Sequence, residues 1–280
     1  MSFEGVKSKK YHTLRRYLRA LGSTVVAYSG GVDSTLVAFL AHQELGARSV
    51  AVTAMSPSLA SNELEEARGI AQQFGFQHIT LTSHEVEDPR YQENTSNRCY
   101  WCKHEVYGML IEYGRQNGYK FVVDGTNYDD RHDIRPGRKA AIENGVRSPL
   151  LEAELTKEEI RIVAHELGLP NWDKPAAACL SSRIPYGTPI SPEMLAQVAQ
   201  AEKALKTLGV RGGRVRHHGQ IARLEVDPTE FPKVLAQREK IIADLKATGF
   251  TFVTLDLIGY QTGSLNQLLL NNHPGESKQI

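Results

Sequence analysis

A chain of 280 residues is long enough for one large domain or two smaller ones, each burying a core of its own. Its 33 basic and 32 acidic residues leave a formal net charge of +1, a balance that carries no electrostatic footprint for nucleic acid or a membrane surface. No apolar run approaches the roughly 20 residues of a membrane span, the start MSFEGVKSKK lacks a secretory character, and three cysteines argue against a disulfide framework; a cytoplasmic protein with reduced thiols is expected.

Leu14, Tyr17, Leu18 and Leu21 fall at helical spacing and predict a helix over 11–21, stopped by Gly22. TVVAYSGGVDS, 24–34, then runs from a short apolar strand into two glycines flanked by serines and an aspartate, and 35–45 reads as helix. This is a phosphate-binding turn: a buried parallel strand delivers the chain to a helix N-terminus, whose unpaired N–H groups and positive dipole end favour an anion. Gly30 and Gly31 allow close backbone approach to oxygen atoms, Ser29 and Ser34 add hydroxyl donors, and Asp33 either serves Mg²⁺-ATP or caps the helix. The Gly-Lys-Ser/Thr ending of a Walker A loop is missing, so no lysine of this turn reaches the terminal phosphates.

A second strand, 49–54, is followed by a helix with Leu64, Ala67, Ala71 and Phe74 on one face, then Gly75 and a third strand, 78–81. Strands alternating with helices predict an α/β fold, a doubly wound parallel sheet with ligands at the carboxyl ends of its strands. Thr53 and Met55 lie at such an end. The stretch RCYWCKHEVYGMLIEYGR reads as helix, and Cys99 and Cys102, three apart, project from one face of it. A fourth strand, 121–123, leads into a polar loop, 124–138, where Asp124, Gly125 and Asn127 are expected near the nucleotide.

Thr156 and Glu159 form a capping box for a helix with the stripe Ile160, Val163, Ala164 and Leu167, ended by Gly168. Periodicity then stops over NWDKPAAACLSSRIPYGTP, 171–189, which reads as an active-site loop around Cys179 and a linker from about Ile184. The expected division is a nucleotide-binding domain at 1–183, a smaller α+β domain at 184–270 and a polar tail at 271–280. In the smaller domain Ser191 caps a helix with Met194, Val198, Ala201, Leu205 and Leu208 inward; strands at 214–217 and 221–226, a helix at 231–245 and a strand at 252–258 follow.

Three thiols beside a nucleotide site admit a structural role, a redox pair, a zinc site with His104 as nearest fourth ligand, or a 4Fe-4S cluster with one iron open to exogenous sulfide. Arg183, four residues after Cys179, either holds a substrate phosphate or carboxylate or forms an interdomain salt bridge. Arg214 and Arg216 share a strand face, as a phosphate clamp or as partners of Glu225. Glu202 borders the helix stripe, near the site or on a solvated edge.

Ser29, Gly30, Gly31, Asp33 and Ser34 match the SGGxDS signature, so the chain resembles the PP-loop pyrophosphatases, which cleave ATP between its α and β phosphates. More narrowly, the sequence resembles the LarE family, the pyridinium-3,5-bisthiocarboxylic acid mononucleotide synthases of nickel-pincer cofactor biosynthesis. The resemblance rests on SGGVDS, RPGRKA (135–140), NWDKPAAACLSSRIPYGT (171–188), RVRHH (214–218), IARLEV (221–226) and VTLDLIGYQTG (253–263). It implies ATP, Mg²⁺ and a small mononucleotide substrate whose carboxylates are adenylylated and then converted to thiocarboxylates by sulfide or a sulfur donor. It further implies adenine near Thr53 and Met55, a homo-oligomer, and neither nucleic acid nor membrane as partner. One branch of the family consumes a cysteine of its own; aligned on SSR and PYGT, that position falls at Ala178, one residue before Cys179. The pattern resembles instead the branch that holds a 4Fe-4S cluster on three cysteines, here Cys99, Cys102 and Cys179. Sacrificial insertion at Cys179, a tRNA thiolase, an amide-forming synthetase and a non-enzymatic nucleotide or cluster sensor are the competing readings.

Overall fold

The computed structural model describes residues 4–132, 136–175 and 178–261. Arg135, Gly263 and the 271–280 tail lie outside the described residues. The chain forms two compact units, the described residues of Met1–Glu85 with Cys99–Ala177, and those of Val86–Arg98 with Ala178–Ile280. Cys179 and Arg183, expected with the nucleotide-binding domain, pack with the smaller unit, and so does the segment 86–98.

In the first unit β1 (Thr24–Ala27), β2 (Ser49–Met55), β3 (His78–Thr82) and β4 (Phe121–Val123) form a parallel sheet in the order β3-β2-β1-β4. The helices run α1 (Lys9–Leu21), α2 (Val32–Leu45), α3 (Ser61–Phe74), α4 (Pro89–Gln92, in the second unit), α5 (Arg98–Gln116), α6 (Pro136–Glu143), α7 (Pro149–Glu152) and α8 (Lys157–Glu166). Both sheet faces are covered. Val26, Ala51 and Val123 share a core with Leu14 and Leu18 of α1, Leu36 and Leu40 of α2, and Ile160 and Val163 of α8. Val25, Val50, Val52 and Val122 face the opposite core with Tyr107 and Leu110 of α5. Burial on two faces is why these strands read as continuous apolar runs rather than alternating ones, and each fully buried leucine contributes about 2 kcal/mol. This is the expected α/β fold. The predicted capping box closes α8 in both directions, Thr156 Oγ1 accepting from Glu159 N and Glu159 from Thr156 N.

In the second unit β5 (Arg214–His218) and β6 (Ile221–Glu225) form an antiparallel hairpin, and β7 (Phe252–Leu255) pairs with β6 in parallel. Helices α9 (Pro192–Thr207), α10 (Phe231–Ala236) and α11 (Arg238–Ala247) supply its other layer. Ala201 and Leu205 of α9 and Ile241 and Leu245 of α11 close over Val215, Ala222 and Leu224. The single helix expected over 231–245 is broken at Gln237, which leaves helical angles (φ −107°, ψ 15°) and donates its side-chain amide to Leu208 O at 3.2 Å. Periodicity hides the break because Val234, Ile241 and Leu245 stay in register across it. The strand expected to 258 ends at Leu255, where Asp256 Oδ1 turns the chain by accepting from Ile258 N at 2.9 Å. Among the described residues no helix is long and apolar enough to cross a membrane.

Candidate active site

The turn between β1 and α2 is held from three sides. Ser34 Oγ accepts from Ser29 N at 3.2 Å and donates to Gly31 O at 3.1 Å, so Ser29 Oγ, 3.0 Å away, donates to Ser34 Oγ. Both expected hydroxyl donors therefore shape the turn itself. Gly30 has φ +73°, and a Cβ there would meet Ala67 Cβ of α3 at 2.9 Å. Asn171 Nδ2 donates to Gly30 O (3.0 Å) and Thr35 Oγ1 (2.9 Å), pinning the loop to α2. On the third side Gly125, after β4, lies so close that a Cβ would stand 2.8 Å from Ser34 N and 3.1 Å from Asp33 Cβ.

Asp33 stands on the first turn of α2, where its charge complements the helix dipole. Its Oδ2 accepts from Lys157 Nζ at 2.5 Å, and Oδ1 is buried without a hydrogen-bond partner. Burial pushes this carboxyl up from its ordinary value, against the lowering effect of Lys157. The structure thus brings Asp33, Ser34, Gly125 and Asn127 close together after β1 and β4. Asp124 sits one step behind them, buried, accepting from Tyr107, Thr126 N, Thr126 Oγ1 and Ser148 at 2.8–3.1 Å. Its carboxylate is occupied in shaping the loop.

Thr53 is also occupied. Its Oγ1 donates to Tyr28 O at 2.8 Å, so it accepts from His78 Nε2 at 2.8 Å, which fixes that imidazole as the Nε2–H tautomer. Burial pushes His78 down to about 4. Met55 is exposed at the end of β2, and the loop beyond it is tied to the buried Glu85, whose carboxylate accepts from Ser56 (2.5 Å), Ser58 (2.9 Å) and Ser83 (2.7 Å).

In the second unit the buried Arg183 clamps the Cys179 turn. Nε and Nη2 bind Glu202 bidentately at 2.8 and 3.0 Å, and Nη1 donates to Ala178 O, Cys179 O and Ser182 Oγ. The salt bridge weighed for Arg183 thus forms inside one unit, and it leaves Glu202 on the helix edge beside Val215 N, which it accepts at 3.1 Å. Arg216 binds the buried Glu225 at 2.6 Å and Ser182 O at 2.7 Å, the pairing weighed against a phosphate clamp. Arg214 lies over the Tyr260 ring at 5.6 Å and, among the described residues, donates to its neighbour's carbonyl, Gly213 O, at 3.4 Å.

Asn94 organises the same turn from the segment 86–98. Fully buried at φ +53°, a conformation asparagine tolerates, it donates to Pro185 O (2.8 Å) and Thr188 O (2.9 Å) and accepts from Arg98 Nη1 (2.5 Å). Arg98 also donates to Ser181 O at 3.0 Å. Cys99 and Cys102 follow near the start of α5, three residues apart, and none of the three cysteines is tied up in a disulfide. Among the described residues no three His, Cys, Asp or Glu side chains are gathered to hold a metal ion. His104, the nearest zinc candidate, stacks on Tyr100 and faces Asn144 at 3.2 Å.

The pattern of the asparagine synthase family matches residues 6–95, which include the turn and β1 to β3. The pyridinium-3,5-bisthiocarboxylic acid mononucleotide synthase of Lactiplantibacillus plantarum is 39% identical over 261 residues, 93% of this chain and 95% of its own length. The chain belongs to that synthase family and is an enzyme. An uncharacterized protein of Synechocystis sp. is 45% identical over 93% of this chain and 98% of its own length. A more distant relative, a component of the glutamine-hydrolyzing GMP synthase of Methanococcus maripaludis, is 27% identical over 81% of this chain and 71% of its own. Sequence reasoning passed over Lys157, Asn171, Asn94 and Glu85, whose partners are set by the tertiary fold.

Proposed function

We propose that this LarE-family chain is an ATP-dependent sulfurtransferase that adenylylates the carboxylates of pyridinium-3,5-biscarboxylic acid mononucleotide and converts them to thiocarboxylates. The observation that carries this reading is 39% identity to the Lactiplantibacillus synthase across 93% of the chain, with the phosphate turn intact. A carboxylate oxygen is a poor leaving group; joined to AMP it becomes a good one, and pyrophosphate departs. The N–H groups at the start of α2 stabilise that charge, the unpartnered Asp33 Oδ1 fits a Mg²⁺ ligand, and Gly125 keeps the phosphate seat narrow. Arg183 and Glu202 hold the backbone at Cys179, and Arg214 binds the substrate phosphate.

Sulfur delivery is the finer part of the proposal. The donor set fits an iron-sulfur cluster in chemistry: three thiols outside any disulfide, none of them fully buried, on Cys99, Cys102 and Cys179. When bound, a 4Fe-4S cluster supplies a place for sulfide, the nucleophile that displaces AMP. The enzyme is proposed to be cytoplasmic and homo-oligomeric.

Anaerobic reconstitution with iron and sulfide, followed by assay with ATP, excess sulfide and the biscarboxylate mononucleotide, tests both parts. Several thiocarboxylates per chain, lost in Cys99→Ala, are expected. Single turnover with Cys179 lighter by one sulfur would replace the cluster by a sacrificial thiol. Absence of substrate-dependent AMP formation would overturn the reaction class.

A further inference from the structure

We propose that Glu85 is a positioning residue for the base of the nucleotide: through Ser56, Ser58 and Ser83 it holds the backbone beyond β2 in the shape that receives adenine, without touching the phosphates. The inference rests on the ATP-cleaving reading above. It begins from a buried charge that the mechanism leaves unused. Glu85 is 2% exposed, and its partners are hydroxyls: Ser56 and Ser58 donate to Oε1 at 2.5 and 2.9 Å, and Ser83 donates to Oε2 at 2.7 Å. Taking a carboxylate out of water is costly, and an apolar side chain would fill the same space without that penalty. Three charge-assisted hydrogen bonds offset it, and what they add is direction.

Direction matters because of where these loops stand. Ligands of a parallel sheet lie at the carboxyl ends of its strands, and the phosphate turn occupies the end of β1. On the β4 side Gly125 closes against the turn, its Cβ position 2.8 Å from Ser34 N. On the other side β2 runs on: Tyr28 N donates to Val52 O at 2.9 Å, and Met55 stands about 10 Å farther along the strand. Met55 is apolar and 38% exposed. A base extending from the phosphates therefore finds apolar surface at Met55 and hydrogen-bonding groups on the backbone that follows.

The carboxylate fixes that backbone from two sides. Ser83 N donates to Met55 O at 2.9 Å, carrying the β2 to β3 pairing past the strand ends, and Ser83 Oγ ends on Glu85. Ser58 N donates to Ser56 Oγ at 3.1 Å and Leu59 N to Ser56 O at 3.0 Å, so the turn after Met55 closes on Ser56. Each serine has one hydroxyl proton, and Ser56 and Ser58 direct theirs to the same oxygen of Glu85. Removing the charge weakens both bonds and, through Ser56 Oγ, the hold on the Ser58 amide. The phosphate turn keeps its own bonds, which run through Ser29, Ser34 and Asn171.

Calorimetry on the full chain with AMP, IMP and pyrophosphate separates base from phosphate. In Glu85→Gln the Kd for AMP is expected to rise about tenfold while pyrophosphate binds within about twofold of wild type, the weight of the weakened hydrogen bonds falling on the base alone. IMP, which carries a 6-oxo group in place of the amine, should lose less, so the preference for AMP over IMP shrinks. Ser56→Ala should reproduce part of the change, and Ser56→Thr, which keeps the hydroxyl, should restore it. Equal weakening of AMP and pyrophosphate, or an unchanged AMP affinity, overturns the proposal. In wild type, hydrogen exchange of the peptide holding the Ser58 and Leu59 amides, read by mass spectrometry, should slow with AMP and not with pyrophosphate. Exchange blind to AMP overturns the proposal independently of how any variant folds. Thiocarboxylate formation with unchanged AMP affinity in Glu85→Gln sinks this role and leaves the function standing. A wild type that makes no thiocarboxylate yet shows the AMP signature does the reverse.

Discussion

Arg183 directs its three guanidinium nitrogens locally, to Glu202, to two carbonyls and to Ser182 Oγ, so its first effect is mechanical. It sets the direction of the backbone at Cys179, and thereby of the thiol, without any need to touch substrate. Removing it strands Glu202, whose side chain is 15% exposed, without its cation. Arg183→Met is therefore expected to lower the unfolding free energy by about 2–4 kcal/mol, measured by urea titration, with Arg183→Met/Glu202→Gln recovering part of it. A change below about 0.5 kcal/mol would show the pair to be a surface bridge in solution. Asn171 is the counterpart in the first unit, one amide tying the phosphate turn to its own helix.

The start of α2 and the loop after β4 work as one element because Gly125 permits their contact. Its backbone angles are open to any residue, so the requirement is space alone: a Cβ would meet the backbone nitrogen of Ser34, which has no flexible end to give way. Gly125→Ala is expected to push the first turn of α2 off the phosphate position, raising the ATP KM about tenfold or more with a smaller fall in Tm; an unchanged KM would place the nucleotide elsewhere. The segment 86–98 is a second such element, a strap whose buried Asn94 holds the chain at Pro185 and Thr188.

Across the whole molecule, histidines held neutral by burial link stability to pH. Burial lowers His78 in the first unit, to about 4, and His217 and His218 in the second, from ordinary values of 6.5. The unfolded chain binds these protons first, so stability is fully present above about 6.5 and is lost as pH falls toward 4. Asp33 acts in the opposite sense, since its raised pKa lets the folded state take a proton more readily. Urea midpoints at pH 7.5 and pH 5 should show the loss, and His78→Gln should reduce its slope by up to one proton, about 1.4 kcal/mol per pH unit. Equal midpoints at the two pH values would mean that these imidazoles protonate in place.

Local signals were enough for the α/β class, the phosphate turn, the capping box of α8 and the shared helix face of Cys99 and Cys102, because each is a matter of neighbours within a turn or a strand. The break at Gln237 escaped because periodicity reports a face, not a continuous axis. The assignment of 86–98 to the second unit, the Asn171 bond to Gly30 and the Lys157 pair with Asp33 were settled by tertiary structure alone. The last two join residues 141 and 124 positions apart, across which no spacing rule acts. A strand and a following glycine turn can state that phosphate is bound; only the packed fold decides which distant side chains hold that turn in place.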